Sequence, residues 1–417
     1  MSTQRAGRRV LDVDATRGFA LLGIFAVNVT FMASGYPGNL TIDPDFDSGL
    51  DNAVRTLSSV FIDMKFYVLF SFLFGYSFTL QLDSARRAGA AFSSRMLRRI
   101  VGLFTIGALH TVFLYGGDVL TTYAVACLVL FLLRNVTDRT AIRIAAGLYI
   151  VVLLSLVASA LVVDRSAFVP GPAEALANGE QATQALLGGW GSNIEAHLAG
   201  LPLLVLQAVS MQGPTALGLF LLGMVAGRRQ WFARISGNEP ILRRIQWIGF
   251  PIGLLGSIAY TAGGGNGNTL AVAASVATAP LLTAAYVATL LRIMHNPRTA
   301  FVRSALAPAG RMALSNYLAQ SALGLIAFTG IGFGLAGTFS PLALFGFVAV
   351  VFAGQLAVST VWLRWFRYGP VEWALRWLTN AQRPAFVVSP RHRQPIGGPD
   401  RPATDPDSTA IHPAESR

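Results

Sequence analysis

Apolar stretches of roughly 20 residues, each about long enough to cross a bilayer, recur along nearly the whole chain. Ten can be marked, at 18–34, 61–81, 97–115, 118–133, 142–163, 201–227, 241–262, 269–294, 312–333 and 340–363. Repetition on this scale leaves little room for any fold other than an all-α, polytopic membrane helix bundle of about ten transmembrane helices. Composition agrees: 53% of the 417 residues are hydrophobic and 12% are charged, about half the charged fraction of a soluble domain.

The charges fix an expected orientation. Arg86, Arg87, Arg95, Arg98 and Arg99 follow the second stretch, Arg134, Arg139 and Arg143 the fourth, and Arg228, Arg229, Arg234, Arg243 and Arg244 the sixth. Arg292, Arg298, Arg303 and Arg311 follow the eighth, and Arg364 and Arg367 the tenth. The intervening connections are "NLTIDPDFDSGLDN", whose only nearby base is Arg55, then 164–200 with Glu174, Glu180 and Glu195, then "GGGNGNT" and an uncharged 334–339 turn. Basic loops stay in the cytoplasm, so both termini are expected there and the acidic loops outside. The net charge of +12 belongs to these loops, which argues against a nucleic-acid partner.

Three parts are expected: a cytoplasmic N-terminus over 1–17, a transmembrane helical domain over 18–378, and a disordered cytoplasmic tail over 379–417. The tail is rich in Pro, Arg and Asp and poor in large apolar residues. Arg5, Arg8 and Arg9 precede the first stretch as in a signal peptide, but Asp12, Asp14 and Arg17 interrupt that pattern, and an uncleaved first helix is expected. Segment 164–200 exceeds a simple connection, and "PAEALANGEQATQALLGG" reads as an amphipathic helix on the outer surface. The single cysteine, Cys127, has neither a disulfide partner nor metal-ligand spacing, and no metal is expected.

Ionisable residues inside apolar helices are costly and usually face a bundle interior or a wet cavity. In "ALHTVFLYGGDVLTTYA", His110 stands about 21 Å along a helix that begins near Met96. Asp118 follows directly after Gly116 and Gly117. Asp118 reads either as a helix cap or as the carboxylate that orients the imidazole, and His110 either as interhelical glue or as a base. In the functional reading a cavity from the outer face reaches His110, and Asp118 closes its rim with Thr122 beside it. Asn28, Lys65, Gln207, Gln212, Asn316, Gln320 and Ser321 add polar groups at related depths. Lys65 alternatively reaches the interface with its long stem. Arg95, Arg98 and Arg99 share one helix face by their spacing, where they either grip phosphates or serve only orientation.

"RVLDVDATRGFALLGIFAVNV", "KFYVLFSFLFGYSFTLQL", "LHTVFLYGGDVLTTYA", "GRMALSNYLAQS" and "FRYGPVEWALRWL" resemble, in order, motifs of the YeiB-like family of bacterial multi-span membrane proteins. That family looks related to transmembrane acyltransferases such as the heparan-α-glucosaminide N-acetyltransferases, in which an intramembrane histidine is implicated. The resemblance implies a place in the bacterial cytoplasmic membrane, with Asp14, Arg17, Gly18 and Asn28 in the shared first-helix pattern. His110 falls in the YeiB-like motif, whereas the acyltransferase histidine lies between the first two helices, where this sequence has none.

The function expected on this basis is transfer of an acyl group from cytoplasmic acyl-CoA, as donor substrate, to a small-molecule, glycan or lipid-linked acceptor outside. His110 is then the base or transient acyl carrier, Asp118 its orienting carboxylate, and Asn28 or Lys65 the oxyanion stabiliser. Arg95, Arg98, Arg99 and Arg17 are the expected donor-binding residues. A small-solute permease, proton-coupled through His110 and Asp118, is the alternative. The lipid bilayer is the expected surrounding, and a homo-oligomer is compatible with either reading.

Overall fold

A computed structural model describes residues 3–87, 89, 91–163, 170–235 and 238–388, with side chains from residue 11 onward. The described residues fold into α1 (Thr3–Ala33), α2 (Gly49–Phe61), α3 (Lys65–Arg87), α4 (Phe92–Phe113), α5 (Leu120–Leu132), α6 (Asp138–Val162), α7 (Pro172–Leu186), α8 (Trp190–Ala199) and α9 (Leu201–Gln207). They continue with α10 (Gly213–Arg228), α11 (Trp231–Ile235), α12 (Glu239–Ala262), α13 (Thr269–His295), α14 (Phe301–Arg311), α15 (Ala313–Phe328), α16 (Pro341–Trp365) and α17 (Pro370–Asn380). No strand forms among them, and one isolated antiparallel bridge joins Phe366 and Val387.

Eight helical segments among the described residues are long and apolar enough to cross a membrane. The fourth and ninth expected spans are instead the shorter α5 and α15, of 13 and 16 residues. At 1.5 Å per residue these rise only about 20 and 24 Å, short of the ~30 Å hydrocarbon core. The sixth expected span is α9 and α10 joined by a π turn over Ala208–Gln212, where the Gln212 carbonyl accepts the Tyr67 hydroxyl.

Large apolar side chains point away from the bundle. Val151 and Leu154 on α6, Leu255 on α12, and Val350 and Val358 on α16 are all at least 60% exposed, an arrangement suited to lipid rather than water. The protein is an all-α, multi-pass membrane bundle. Inside it, helices approach closely where glycine removes the side chain. A Cβ on Gly310 would stand 1.8 Å from the Asp14 carbonyl oxygen, and one on Gly18 would stand 2.3 Å from that of Leu306. The backbones of α1 and α14 therefore touch, which places Asp14 and Arg17 beside the start of α15. Elsewhere α12 packs along α13, α3 against α10 and α4 against α5.

Several segments differ from the sequence expectation. α1 starts at Thr3, so most of the expected N-terminal segment is already helix. The acidic connection 35–55 contains α2, opened by a capping box between Ser48 and Asp51. The basic connection after α13 contains α14, whose Leu306, Ala307, Ala309 and Gly310 are buried. Segment 170–200 forms two helices rather than one, and Thr183 on α7 accepts the Gly35 amide at 3.0 Å. Residues 164–169 of that connection lie outside the described residues.

The expected disorder after Asn380 does not extend to 381–388. Phe386 sits among Trp362, Phe366 and Trp373 with ring centroids 4.7–6.2 Å away. The Trp373 indole donates to the Pro384 carbonyl, and the Val388 amide donates to that of Trp365. One aromatic side chain with a ring cluster to enter outweighs the polar composition around it. The remainder of the expected tail, 389–417, lies outside the described residues.

Candidate functional site

The third apolar helix ends where the Leu114 and Tyr115 amides both donate to the His110 carbonyl. The chain then turns through Gly116 and Gly117 before α5 begins. This fold-back brings Asp118 beside His110, one turn inside α4. Gly107 permits the approach, because a Cβ there would meet the Thr121 amide nitrogen at 2.7 Å and Asp118 Oδ2 at 2.9 Å.

His110 Nδ1 and Asp118 Oδ1 stand 3.0 Å apart with both side chains fully buried. Neither atom completes an aligned hydrogen bond, so this contact is a close electrostatic approach rather than a linear N–H···O bond. The second carboxylate oxygen caps α5 by accepting the Thr121 amide at 2.9 Å and the Thr121 hydroxyl at 3.1 Å. One oxygen of Asp118 thus caps α5 and the other lies against the imidazole, with Thr121 rather than Thr122 as the neighbouring partner. On the far side of the ring, Nε2 is 2.8 Å from Ser321 Oγ of α15. An ionised carboxylate offers only acceptors, so it favours the imidazole proton on Nδ1. Nε2 is then left with a lone pair facing the serine hydroxyl.

Two tyrosines hold the ring. Tyr317 lies one turn before Ser321 with its centroid 5.0 Å from that of His110, and Tyr115 meets the ring edge-on at 6.2 Å. Each tyrosine also lines a different cavity. The larger, about 500 Å³, lies along the N-terminal half of α4 and ends at Tyr317, Val119 and Leu120. The smaller, about 240 Å³, lies past the C-terminal end of α4, lined by Tyr115, Gly116, Gly117, His197 and Thr329. His110 and Asp118 line neither of them. Neither of these two is the expected cavity open to His110 with Asp118 at its rim: the pair is buried, and one tyrosine from the lining of each cavity packs against the ring.

The larger cavity is ringed by Arg17, Arg95, Arg99, Arg311, Arg367 and Arg376 over an apolar floor that includes Phe70, Leu73 and Phe74. Arg17 is partly neutralised by Asp14 and also donates to Ser77. Arg98 departs from its expected role. Its Nε donates to the Thr379 carbonyl at 3.1 Å, because α17 packs across α4 and offers the free carbonyls of its last turn. Glu372 of α17 accepts the Leu314 and Ser315 amides, capping α15 from outside. Arg376 and His197 carried no sequence signal: the first sits in an amphipathic helix after the last span, the second in a connection expected to be plain surface.

Other expected contributors lie elsewhere. Lys65 is 1% exposed, yet its ammonium donates to the Ser59 carbonyl at 2.9 Å in the last turn of α2. It is not among the groups bonded to His110 or Asp118. Asn28 is half-buried on α1 and is likewise not among the groups bonded to His110 or Asp118. Asn316 donates to Ser359 and Gln320 to Gln355, while Gln355 donates to the Asn316 carbonyl. This ladder ties α15 to α16 as interhelical glue. No cluster of metal-ligating residues occurs among the described residues.

Comparison with known proteins finds relatives that align over most of the chain. Uncharacterized protein YxaH of Bacillus subtilis (strain 168) is 29% identical over 388 residues, covering 88% of this chain and 93% of the relative. Uncharacterized protein YeiB of Escherichia coli (strain K12) is 26% identical over an alignment covering 92% of this chain and all of the relative. The chain is similar to YxaH and YeiB over most of its length. The family described as "Protein of unknown function (DUF418)" matches residues 226–382. In this chain that region contains α11 to α17, hence Tyr317, Ser321, Arg311, Arg367 and Arg376, while His110 and Asp118 lie before it.

Proposed function

We propose that this YeiB-like protein is an acyltransferase of the bacterial cytoplasmic membrane, moving an acyl group from cytoplasmic acyl-CoA to an extracytoplasmic glycan or lipid-linked acceptor. The observation that carries this reading is the buried imidazole–carboxylate pair lying between two cavities of different chemistry. The arginine ring suits a multiply phosphorylated donor, since guanidinium groups bind phosphate oxygens in pairs. The apolar floor suits the donor's arm and acyl chain, and a 500 Å³ volume lies within the usual range of about 300–1,000 Å³ for ligand sites. The smaller cavity, more apolar and opened by glycines, would receive the acceptor.

His110 Nε2, with its lone pair facing the Ser321 hydroxyl, acts as the base. Asp118 holds the ring and stabilises the imidazolium that forms when a proton arrives. Burial makes this useful, because a charge developing away from water is strongly affected by a fixed carboxylate 3.0 Å away. Lys65 and Asn28 have no part in this chemistry.

The test is thermal unfolding of the purified protein with acetyl-CoA. At 100 times its Kd a ligand stabilises by about 2.7 kcal/mol, so a clear rise in Tm is expected, reduced by about half or more in Arg95→Gln and Arg99→Gln. Stabilisation by small free solutes but not by acetyl-CoA would replace this reading with a permease, proton-coupled through the same pair.

A further inference from the structure

Ser321, His110 and Asp118 come from α15, α4 and the turn before α5. They stand in the order hydroxyl, imidazole, carboxylate, with contacts of 2.8 and 3.0 Å. All three are at most 1% exposed. Ser321 Oγ also lies 3.5 Å from the Tyr317 carbonyl, the ordinary back-bond of a helical serine, but Nε2 is much closer. Asp118 is fixed by Thr121 and Ser321 by its helix, so the ring between them has one orientation that serves both neighbours. The same order activates a serine for acyl transfer on unrelated folds, recognised by geometry rather than sequence position.

From this geometry we infer that Ser321 is the nucleophile and carries the acyl group as an ester between the two cavities. The inference rests on the acyltransfer reading for the identity of the donor. Ser321 Oγ attacks the thioester carbonyl carbon while its proton passes to His110 Nε2. The carbon–sulfur bond then breaks, and the leaving sulfur takes that proton, releasing free CoA thiol. An acceptor hydroxyl or amine from the smaller cavity next gives a proton to Nε2 and attacks the serine ester. The ester bond breaks, and Ser321 Oγ recovers its proton. A covalent carrier at Ser321 removes the need for both substrates to meet, which suits cavities separated by the His110 ring and its two tyrosines. Tyr317, one turn from Ser321 on the same helix, ends the donor cavity and must swing aside to admit the thioester.

Full-length protein is incubated with a fluorophosphonate, which reacts with a serine whose hydroxyl an adjacent base deprotonates, and peptides are then mapped by mass. A single adduct on Ser321 is expected, absent in Ser321→Ala and at least tenfold slower to form in Asp118→Asn. Acetyl-CoA should leave one acetyl group on the same peptide. The variant Tyr317→Ala, with the donor cavity opened toward Ser321, guards against failure of the probe to enter. No adduct in either wild type or Tyr317→Ala overturns Ser321 as nucleophile, and if acetyl-CoA still raises Tm the donor reading survives. An adduct on Ser321 without acetylation or stabilisation by acetyl-CoA supports the activated serine and overturns acyl-CoA as its donor.

Discussion

An imidazole inside an apolar helix is tolerable only if both ring nitrogens find partners, and His110 finds Asp118 on one side and Ser321 on the other. Because the ring is packed between two tyrosines rather than lining open space, removing it has a structural cost. His110→Ala would leave a buried carboxylate without its partner, a change that costs about 3–5 kcal/mol in buried pairs, and should lower Tm markedly in detergent. Asp118→Asn is the cleaner probe. The amide oxygen still accepts from Thr121, so Tm should change little, while acyl transfer should fall by roughly 10²-fold or more as base catalysis is lost. Loss of folding in Asp118→Asn, or activity within a factor of two of wild type, would contradict the role assigned to the carboxylate. The pairing was legible because an ionisable residue in hydrocarbon demands a partner and Asp118 follows a two-glycine turn. Ser321 was visible only as one polar residue among several. Nothing in the sequence separates it from Gln320, which faces α16 instead. Lys65 reads as an interfacial lysine because its burial depends on α13, where Thr283 donates to its carbonyl.

At the scale of helices, periodicity and length reveal elements that bury themselves in lipid, but not short amphipathic ones whose partners are remote in sequence. The apolar spans were therefore legible, whereas α2 and α14 were hidden in connections of ordinary polarity. The arginine face was half legible: spacing aligns Arg95, Arg98 and Arg99, but α17, nearly 300 residues later, withdraws Arg98 into a bond with the Thr379 carbonyl. Arg95→Gln and Arg99→Gln should each weaken acetyl-CoA binding, measured by titration calorimetry, by at least about tenfold, a loss of about 1.4 kcal/mol. Arg98→Gln should leave affinity within about threefold and instead loosen α17. Equal losses at all three positions would return the cluster to a general electrostatic role. Gly107→Ala tests the approach of α4 to the Asp118 turn, since the added methyl must displace either the Thr121 amide or the carboxylate. A drop in activity larger than any loss of Tm is expected.

Across the whole molecule, the ends of helices expected in the cytoplasm converge on the arginine-lined cavity, and the acidic connections meet one another through Gly35 and Thr183. The sidedness expected from the arginines by the positive-inside rule can be tested. With the buried Cys127 replaced by serine, Ser93→Cys should resist an impermeant thiol reagent in intact cells and Glu195→Cys should react. Labelling of both from outside would contradict the expected sidedness. The central claim is that the two ends of α4 are a donor side and an acceptor side joined through His110. Radiolabelled acetyl-CoA supplied to sealed membrane vesicles tests it most directly, because native membranes hold the acceptor whatever its structure. Inside-out vesicles containing the wild-type protein should transfer label to a membrane glycan or lipid, and right-side-out vesicles or the Asp118→Asn protein should not. Transfer that is equal in both orientations, or no greater with wild type than with Asp118→Asn, would contradict it.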